Sequence, residues 1–130
     1  MSKKQLPKPT ESELSILKVL WENGPSSVRF VNERLNEKKE TGYTTTLKFM
    51  QIMLQKGLLT RNTDSRSHVY QPAIDQEITQ LSLLDKFVDN VFGGSATSLV
   101  MQALGNHGAS KEELKKIKAL IKKIEKEERK

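Results

Sequence analysis

Residues 41–59, TGYTTTLKFMQIMLQKGLL, have the pattern of one helix enclosed between two glycines. We expect the helix to start after Gly42 and to end at Gly57, because glycine tolerates the left-handed backbone of a helix C-terminal cap. At 3.6 residues per turn, Met50 and Met53 lie on one face, and the apolar positions around them predict a side that packs on a core.

The opposite face of this predicted helix carries short polar and basic side chains: Thr44, Thr45, Lys48, Gln51 and Gln55, with Ile52 beside them. Threonine offers a hydroxyl and a methyl group, glutamine a bidentate amide, and lysine a partner for phosphate or guanine, so such a face can lie in a DNA major groove. An ordinary amphipathic surface helix has the same pattern and is far more common. The helix alone leaves both interpretations open.

Two shorter helices are predicted before it. Thr10 and Glu13 form a capping box at the start of the first, which ends at the turn formed by residues 23–25, and Ser27 can cap the second. The inward positions we expect are Leu14, Leu17 and Trp21 in the first helix and Val28, Val31 and Leu35 in the second. Three short helices within about fifty residues, joined by tight turns, are typical of helix-turn-helix proteins.

A β-hairpin is predicted directly after Gly57, with strands at residues 58–62 and 67–71 around a polar tip. A hairpin in this place is typical of the wing of a winged-helix protein. Arg61 and Arg66 would give the wing positive charge for phosphate or a minor groove, although a solvated hairpin tip is the plain alternative. Helix, hairpin and charge together favour DNA binding.

The net charge of +6 is distributed unevenly along the 130 residues. Residues 1–72 hold 12 basic and 7 acidic side chains, whereas residues 73–130 hold 10 and 9. The basic excess therefore lies in the half that contains the candidate DNA-reading helix, and it suits an anionic partner.

Several classes of site are disfavoured by what the sequence lacks. The absence of cysteine excludes disulfides, thiolate metal sites and a thiol nucleophile, and we expect neither a metal nor a cofactor. The N-terminus has no apolar segment of a secretory signal, and residues 90–110, the longest stretch without formal charge, contain four glycines. We therefore expect a cytoplasmic protein without a membrane partner.

Three further amphipathic helices are predicted after residue 72, separated by Gly93 and Gly94 and by Gly105, with N-caps at Ser95 and Ser110. Fewer than sixty residues make a thin core, so we expect a second copy of the chain to cover their apolar stripes; folding back onto the winged domain is the alternative. The expected dimerisation positions are Ile78, Leu81, Leu84, Val88, Leu99, Val100, Leu104, Leu114, Ile117, Ile121 and Ile124.

The chain resembles the BlaI/MecI/CopY (penicillinase repressor) family of bacterial repressors over roughly residues 8–124. The resemblance rests on GYTTTLKFMQIMLQKGLL, on His68-Val69-Tyr70 in the hairpin, and on FVDNVFGGSATSLVMQAL. It implies an N-terminal winged-helix domain, a C-terminal helical dimerisation domain and binding to palindromic operators. It also places Thr44, Thr45 and Lys48 where the family's recognition helix meets DNA.

Two departures from the family pattern concern the inducing signal. The copper-responsive branch binds metal through C-terminal cysteine pairs, which this chain lacks. The antibiotic-responsive branch is inactivated by cleavage at an Asn-Phe bond, and the matching position here is Gln102-Ala103. Neither route of induction is therefore expected.

The fold we predict is mainly α. A flexible basic arm (residues 1–9) precedes a winged helix-turn-helix of three helices plus a β-hairpin wing (residues 10–72) and a helical dimerisation domain (residues 73–130). The predicted function is sequence-specific repression by a homodimer on double-stranded DNA carrying a palindromic operator. The expected DNA contacts are Tyr43, Thr44, Thr45, Lys48, Gln51, Ile52, Lys56, Arg61 and Arg66.

Three other classes of function remain open at this stage. An enzyme lacks support, because His68 and His107 have no recognisable acid–base partner. A helical module that binds protein would lack salt-sensitive DNA binding. A winged-helix regulator could instead sense a small molecule between its dimerisation helices.

Overall fold

The computed structural model describes residues 8–64 and 68–128. In this part of the chain the elements are α1 (Glu11–Asn23), α2 (Val28–Asn36), α3 (Tyr43–Lys56), β1 (Leu59–Asn62), β2 (Val69–Pro72), α4 (Gln76–Phe92), α5 (Ala96–His107) and α6 (Lys111–Glu128). The predominantly helical class and the hairpin after the third helix are confirmed. The chain divides into two compact units, one ending at Leu83 and the other beginning at Leu84.

The ends of the first three helices are set by local sequence, as predicted. The Thr10 hydroxyl accepts the Glu13 N–H at 3.2 Å, while the Glu13 carboxylate accepts the Thr10 N–H at 2.9 Å, which completes the capping box. Ser27 caps α2 by accepting the Phe30 N–H at 3.1 Å. Gly57 ends α3 in the left-handed conformation, with φ 83° and ψ 14°.

The core of the first unit lies where α1, α2, α3 and the hairpin meet. Its buried apolar side chains are Ile16, Leu17, Leu20, Val28, Val31, Met50, Met53, Leu58, Leu59 and Tyr70. The prediction for α1 was partly wrong, because Ile16 and Leu20 are buried with Leu17, whereas Leu14 is only half-buried; Trp21 is half-buried and packs against the core, as predicted. Since α1 packs against α2, α3 and β2, it buries a stripe turned slightly away from the one its spacing indicated.

The hairpin contains one pairing that the sequence did not indicate. Strands β1 and β2 pair antiparallel, with Leu59 opposite Pro72 and Arg61 opposite Tyr70. On its other side, β2 bonds to the residue before the α2 cap: the Ser26 N–H donates to the Tyr70 carbonyl at 2.9 Å, and the Tyr70 N–H donates to the Ser26 carbonyl at 2.8 Å. The hairpin is thus tied to the start of α2, and the Tyr70 side chain is buried in the core.

The first unit continues beyond Pro72, the predicted end of the winged domain. The Ala73 N–H donates to the Leu58 carbonyl at 2.8 Å, and the Trp21 indole Nε1 donates to the Ile74 carbonyl at 3.3 Å. These bonds attach the segment after β2 to the core of the first unit, which ends within α4. The predicted division into a winged domain and a dimerisation domain at residue 72 stays a prediction.

The second unit consists of the rest of α4 with α5 and α6. The predicted caps are present: Ser95 accepts the Ser98 N–H at 3.1 Å, and Ser110 and Glu113 form a capping box. The prediction that α5 ends at Gly105 was wrong, because α5 runs to His107 and stops at Gly108 with φ 69°. An interior glycine weakens a helix but does not end it without the left-handed backbone of a cap.

Candidate nucleic-acid interface

Helix α3 has two sharply different faces. Thr46, Met50 and Met53 have no exposed surface, and they hold one side of the helix against the core of the first unit. The exposed side carries the predicted DNA-reading positions: Tyr43, Thr44, Thr45, Lys48, Gln51 and Ile52. Tyr43 is 51% exposed and Ile52 37%, so apolar as well as polar groups are available on this face. The helix is therefore fixed from behind while its polar side faces outward.

The charged side chains of the segment that contains α3 and β1 have one sign. Between Glu40 and Asp64 the sequence contains three basic residues and no acidic ones. Lys48 on α3 and Arg61 on β1 are exposed. This stretch of the chain brings basic side chains and no carboxylates toward phosphates, while Glu37 and Glu40 lie to one side of it, in a groove that Thr45 also lines.

The turn between α2 and α3 is closed by a network of asparagine bonds. The Asn32 amide nitrogen donates to the Thr41 carbonyl at 2.9 Å and to the Thr46 hydroxyl at 2.8 Å. The Asn36 amide nitrogen also donates to the Thr41 carbonyl at 2.9 Å, and the Asn36 amide oxygen accepts the Thr41 N–H at 2.9 Å. Two side chains of α2 thus clamp the peptide groups of Thr41, and one of them, Asn32, also reaches the first turn of α3.

Lys56, a predicted DNA contact, has a different partner in the structure. Its ammonium group lies 2.8 Å from Oε1 and 3.0 Å from Oε2 of Glu13, which is 3% exposed. Burial raises the pKa of Glu13, but the hydrogen bonds from Lys56 and Thr10 outweigh burial, and the pKa lies below its ordinary value. The Lys56 charge is therefore used to neutralise a buried carboxylate, and this residue is not part of the interface we propose below.

The wing contributes one described basic side chain. Arg61 lies exposed in β1, and the Asp64 N–H donates to the Asn62 amide oxygen at 2.9 Å, which starts the turn that leads to the tip. Arg66, the second predicted basic residue of the wing, lies outside the described residues, as do residues 1–7 of the predicted basic arm.

The expected dimerisation positions fall on α4, α5 and α6. The most exposed are Ile78 at 52%, Leu81 at 55%, Leu84 at 45%, Val100 at 49%, Ile121 at 51% and Ile124 at 46%. Val88 is instead buried, and Leu99, Leu104 and Ile117 are half-buried. These four have already lost much of their surface within a single chain, so the first group offers most of the apolar area to a partner.

A groove with a volume of about 520 Å³ lies between α1 and the α2–α3 turn. Its walls include apolar side chains such as Val19 and Leu35 and charged ones such as Lys39 and Glu40. The groove lies in the first unit. A small molecule sensed between the dimerisation helices would instead bind among α4, α5 and α6. In residues 8–64 and 68–128 there is no cluster of three metal-ligating side chains and no helix long and apolar enough to cross a membrane.

Residues 9–123 match the model of a protein family described as penicillinase repressor. The match spans both the helix-turn-helix with its hairpin and most of the helices that follow.

The chain belongs to the penicillinase repressor family.

Relatives and solved structures agree with this assignment. The penicillinase repressor of Bacillus licheniformis is 25% identical over 122 residues, which cover 91% of this chain and 92% of the relative. The transcriptional regulator BlaI of Mycobacterium tuberculosis is 33% identical over 61 residues, or 46% of this chain and 44% of the relative.

One similar solved structure includes DNA. The solution structure of monomeric B. licheniformis BlaI with the blaP half-operator is 25% identical, has a TM-score of 0.50, and covers 56% of this chain and 89% of that chain. The DNA-binding domain of the repressor BlaI is 26% identical with the same TM-score, over 57% of this chain and 90% of that chain. The likeness supports the winged-helix assignment.

Two features of the contacts that hold α3 were missed by sequence reasoning. One is the asparagine network of the α2–α3 turn, and the other is the bond between Glu13 and Lys56. Asn32 and Asn36 are four residues apart, which places them on one helix face and was an available signal. The partnership of Glu13 with Lys56 spans 43 positions, and nothing in the local pattern indicated it.

Proposed function

We propose that this chain is a sequence-specific DNA-binding transcriptional repressor that acts as a homodimer on a palindromic operator. The observation that carries the proposal is the division of α3 into a fully buried face and an exposed polar and basic face, in a member of the penicillinase repressor family. A helix held in this way can enter a major groove without losing its packing.

Each proposed contact has a role that follows from its chemistry. Thr44 and Thr45, at the N-terminal end, would approach thymine methyl groups and base edges. Lys48 and Arg61 would bind phosphates and so set register and affinity rather than sequence preference. Tyr43, Gln51 and Ile52 would line the same face; Arg66 stays a prediction, and Lys56 is assigned to Glu13.

A homodimer would place two copies of α3 in successive major grooves. The exposed apolar side chains of α4, α5 and α6, such as Leu81, Val100 and Ile121, support self-association, since a surface of this kind is more stable when covered. We expect half-sites one or two helical turns apart, at roughly 10–10.5 bp per turn. A dimer bound at a promoter would repress by excluding polymerase.

The proposed function requires neither catalysis nor a cofactor. Binding, and not a chemical step, is the activity that the exposed face of α3 supports, and the DNA would be met in the cytoplasm. The proposal also includes no metal site and no membrane partner.

Selection of bound duplexes from a random-sequence library, with the full chain at near-physiological salt, tests this function. A palindrome with fixed half-site spacing is the expected result, because a symmetric dimer reads two inverted half-sites. Enrichment without any motif would contradict sequence-specific reading and leave a non-specific basic binder. Selection of a single half-site would contradict the homodimer but not the sequence-specific reading of DNA.

A further inference from the structure

We propose that Asn32 is a positioning residue, which sets the placement of the DNA-reading end of α3 through the hydroxyl of Thr46. This inference rests on the proposed function and extends it to a side chain that does not face the DNA. Its basis is the pair of hydrogen bonds from the Asn32 amide to the Thr41 carbonyl, at 2.9 Å, and to Thr46 Oγ1, at 2.8 Å.

The orientation of the Asn32 amide follows from the chemistry of its partners. The Thr41 carbonyl can only accept a hydrogen bond, so the amide must present its nitrogen there. That nitrogen has two hydrogens, and the two acceptors use both of them. Replacement by aspartate would remove both donors and place a carboxylate oxygen next to a carbonyl oxygen.

Thr46 is placed where it controls the reading residues. It has no exposed surface and so cannot touch DNA, yet it follows Thr45 directly and lies in the first turn of α3. Its N–H donates to the Gly42 carbonyl at 3.1 Å, which closes that turn. Gly42 provides no side-chain cap, and Asn32 ties this turn to α2 through the Thr46 hydroxyl rather than by accepting an N–H of the helix start.

The opposite end of α3 is held in a separate way. Lys56, ten residues after Thr46 in the sequence, binds Glu13 of α1 there. The helix is thus braced at both ends by polar side chains, but only the Asn32 brace lies at the end that carries Thr44 and Thr45. Loosening it should disturb base discrimination more than phosphate attraction.

The test compares the variants Asn32→Ala and Thr46→Val. Both remove the bond between Asn32 and Thr46, and Asn32→Ala also removes the bond to the Thr41 carbonyl. The ratio of Kd values for the selected operator and for a duplex with one changed base pair should fall about fivefold or more, as it does when a base contact is lost. The salt slope of binding should stay unchanged, because no phosphate contact is removed. The losses in the two variants should not add in the double variant.

Two control variants separate positioning from general weakening. Asn23→Ala removes an asparagine bond of similar length, 2.8 Å to the Val19 carbonyl, on the exposed end of α1, and should leave the ratio unchanged. Glu13→Gln weakens the brace at the far end of α3 and should lower stability without lowering the ratio. An equal fall of the ratio in Glu13→Gln would overturn the proposal, because any loosening of the domain would then have the same effect.

A second measurement does not depend on DNA. Amide hydrogen exchange of Thr46 should be roughly tenfold or more faster in Asn32→Ala, while exchange near Lys56 should be unchanged. If the wild-type chain selects no operator, the proposed function fails and exchange alone decides the positioning role. A folded Asn32→Ala or Thr46→Val variant with wild-type exchange at the first turn, or with the wild-type ratio of Kd values, would overturn the inference.

Discussion

The ammonium group of Lys56, at the end of α3, binds both carboxylate oxygens of Glu13 on α1, at 2.8 and 3.0 Å. Glu13 is almost fully buried, and its Oε1 also accepts the N–H of Thr10. A buried carboxylate is stable only when it is paired and hydrogen-bonded. The same side chain therefore completes the cap of one helix and anchors the end of the helix proposed to read DNA.

Replacement of Lys56 by glutamine should lower stability without changing the electrostatics of DNA binding. We expect the free energy of unfolding, measured in urea, to fall by about 1–3 kcal/mol, toward the lower end because the Lys56 side chain is 39% exposed to solvent. The slope of binding affinity against salt should stay at its wild-type value. A loss of about one unit of slope would instead identify Lys56 as a phosphate contact.

The Glu13 pair should also make stability depend on pH. Because the pKa of Glu13 is lowered in the folded chain, its contribution is fully present above the ordinary value of about 4.5 and is lost as the pH falls through the folded-state value. Comparison of the wild-type chain with Glu13→Gln by urea unfolding at a series of pH values should give a stability difference that shrinks on acidification. A difference independent of pH would contradict this role.

Lys48→Ala should weaken binding to every duplex to a similar extent. Lys48 is exposed on α3, and a lysine that binds phosphate contributes attraction without sequence information. We expect the salt slope to fall by about one unit, while the preference for the operator is kept. Titrations of operator and scrambled duplexes at several salt concentrations measure both quantities, and a selective loss on the operator would show that Lys48 contacts a base.

Thr45→Ala should have the opposite effect. Removal of its hydroxyl and methyl groups should reduce discrimination by roughly 1–3 kcal/mol for each lost base contact, with the salt slope unchanged. Thr46→Val does not serve as its control, since Thr46 is a proposed positioning contact; Asn23→Ala, a change on the exposed end of α1, is a suitable comparison. Unchanged operator preference in Thr45→Ala would mean that another face reads the DNA.

Ile121→Glu should prevent self-association. Ile121 is 51% exposed on the apolar face of α6, and covering it with a partner would bury an unpaired charge in the variant. We expect the dimer dissociation constant, measured by sedimentation equilibrium, to rise about tenfold or more. Lys122→Glu changes the neighbouring exposed position to the same residue and should leave the constant nearly unchanged. Equal effects in the two variants would place the interface elsewhere.

Much of the first unit could be predicted because its signals are local. The cap at Ser27, the left-handed stop at Gly57 and the inward placement of Met50 and Met53 depend on residues within one or two helical turns. The failures also have a physical pattern. Gly105 was taken as a stop, and Leu14 as a core residue, although a single residue type does not determine either role.

The division between sequence and tertiary structure follows the separation of the interacting groups. The sequence by itself determined where most helices begin and end and which face of α3 is apolar, since caps and periodicity act over a few residues. Only the tertiary structure decided that Lys56 neutralises Glu13, that Asn32 reaches Thr46, and that Ser26 pairs with Tyr70. These partners lie from 14 to 44 positions apart, so their contacts exist only after the helices and the hairpin have packed around the common core.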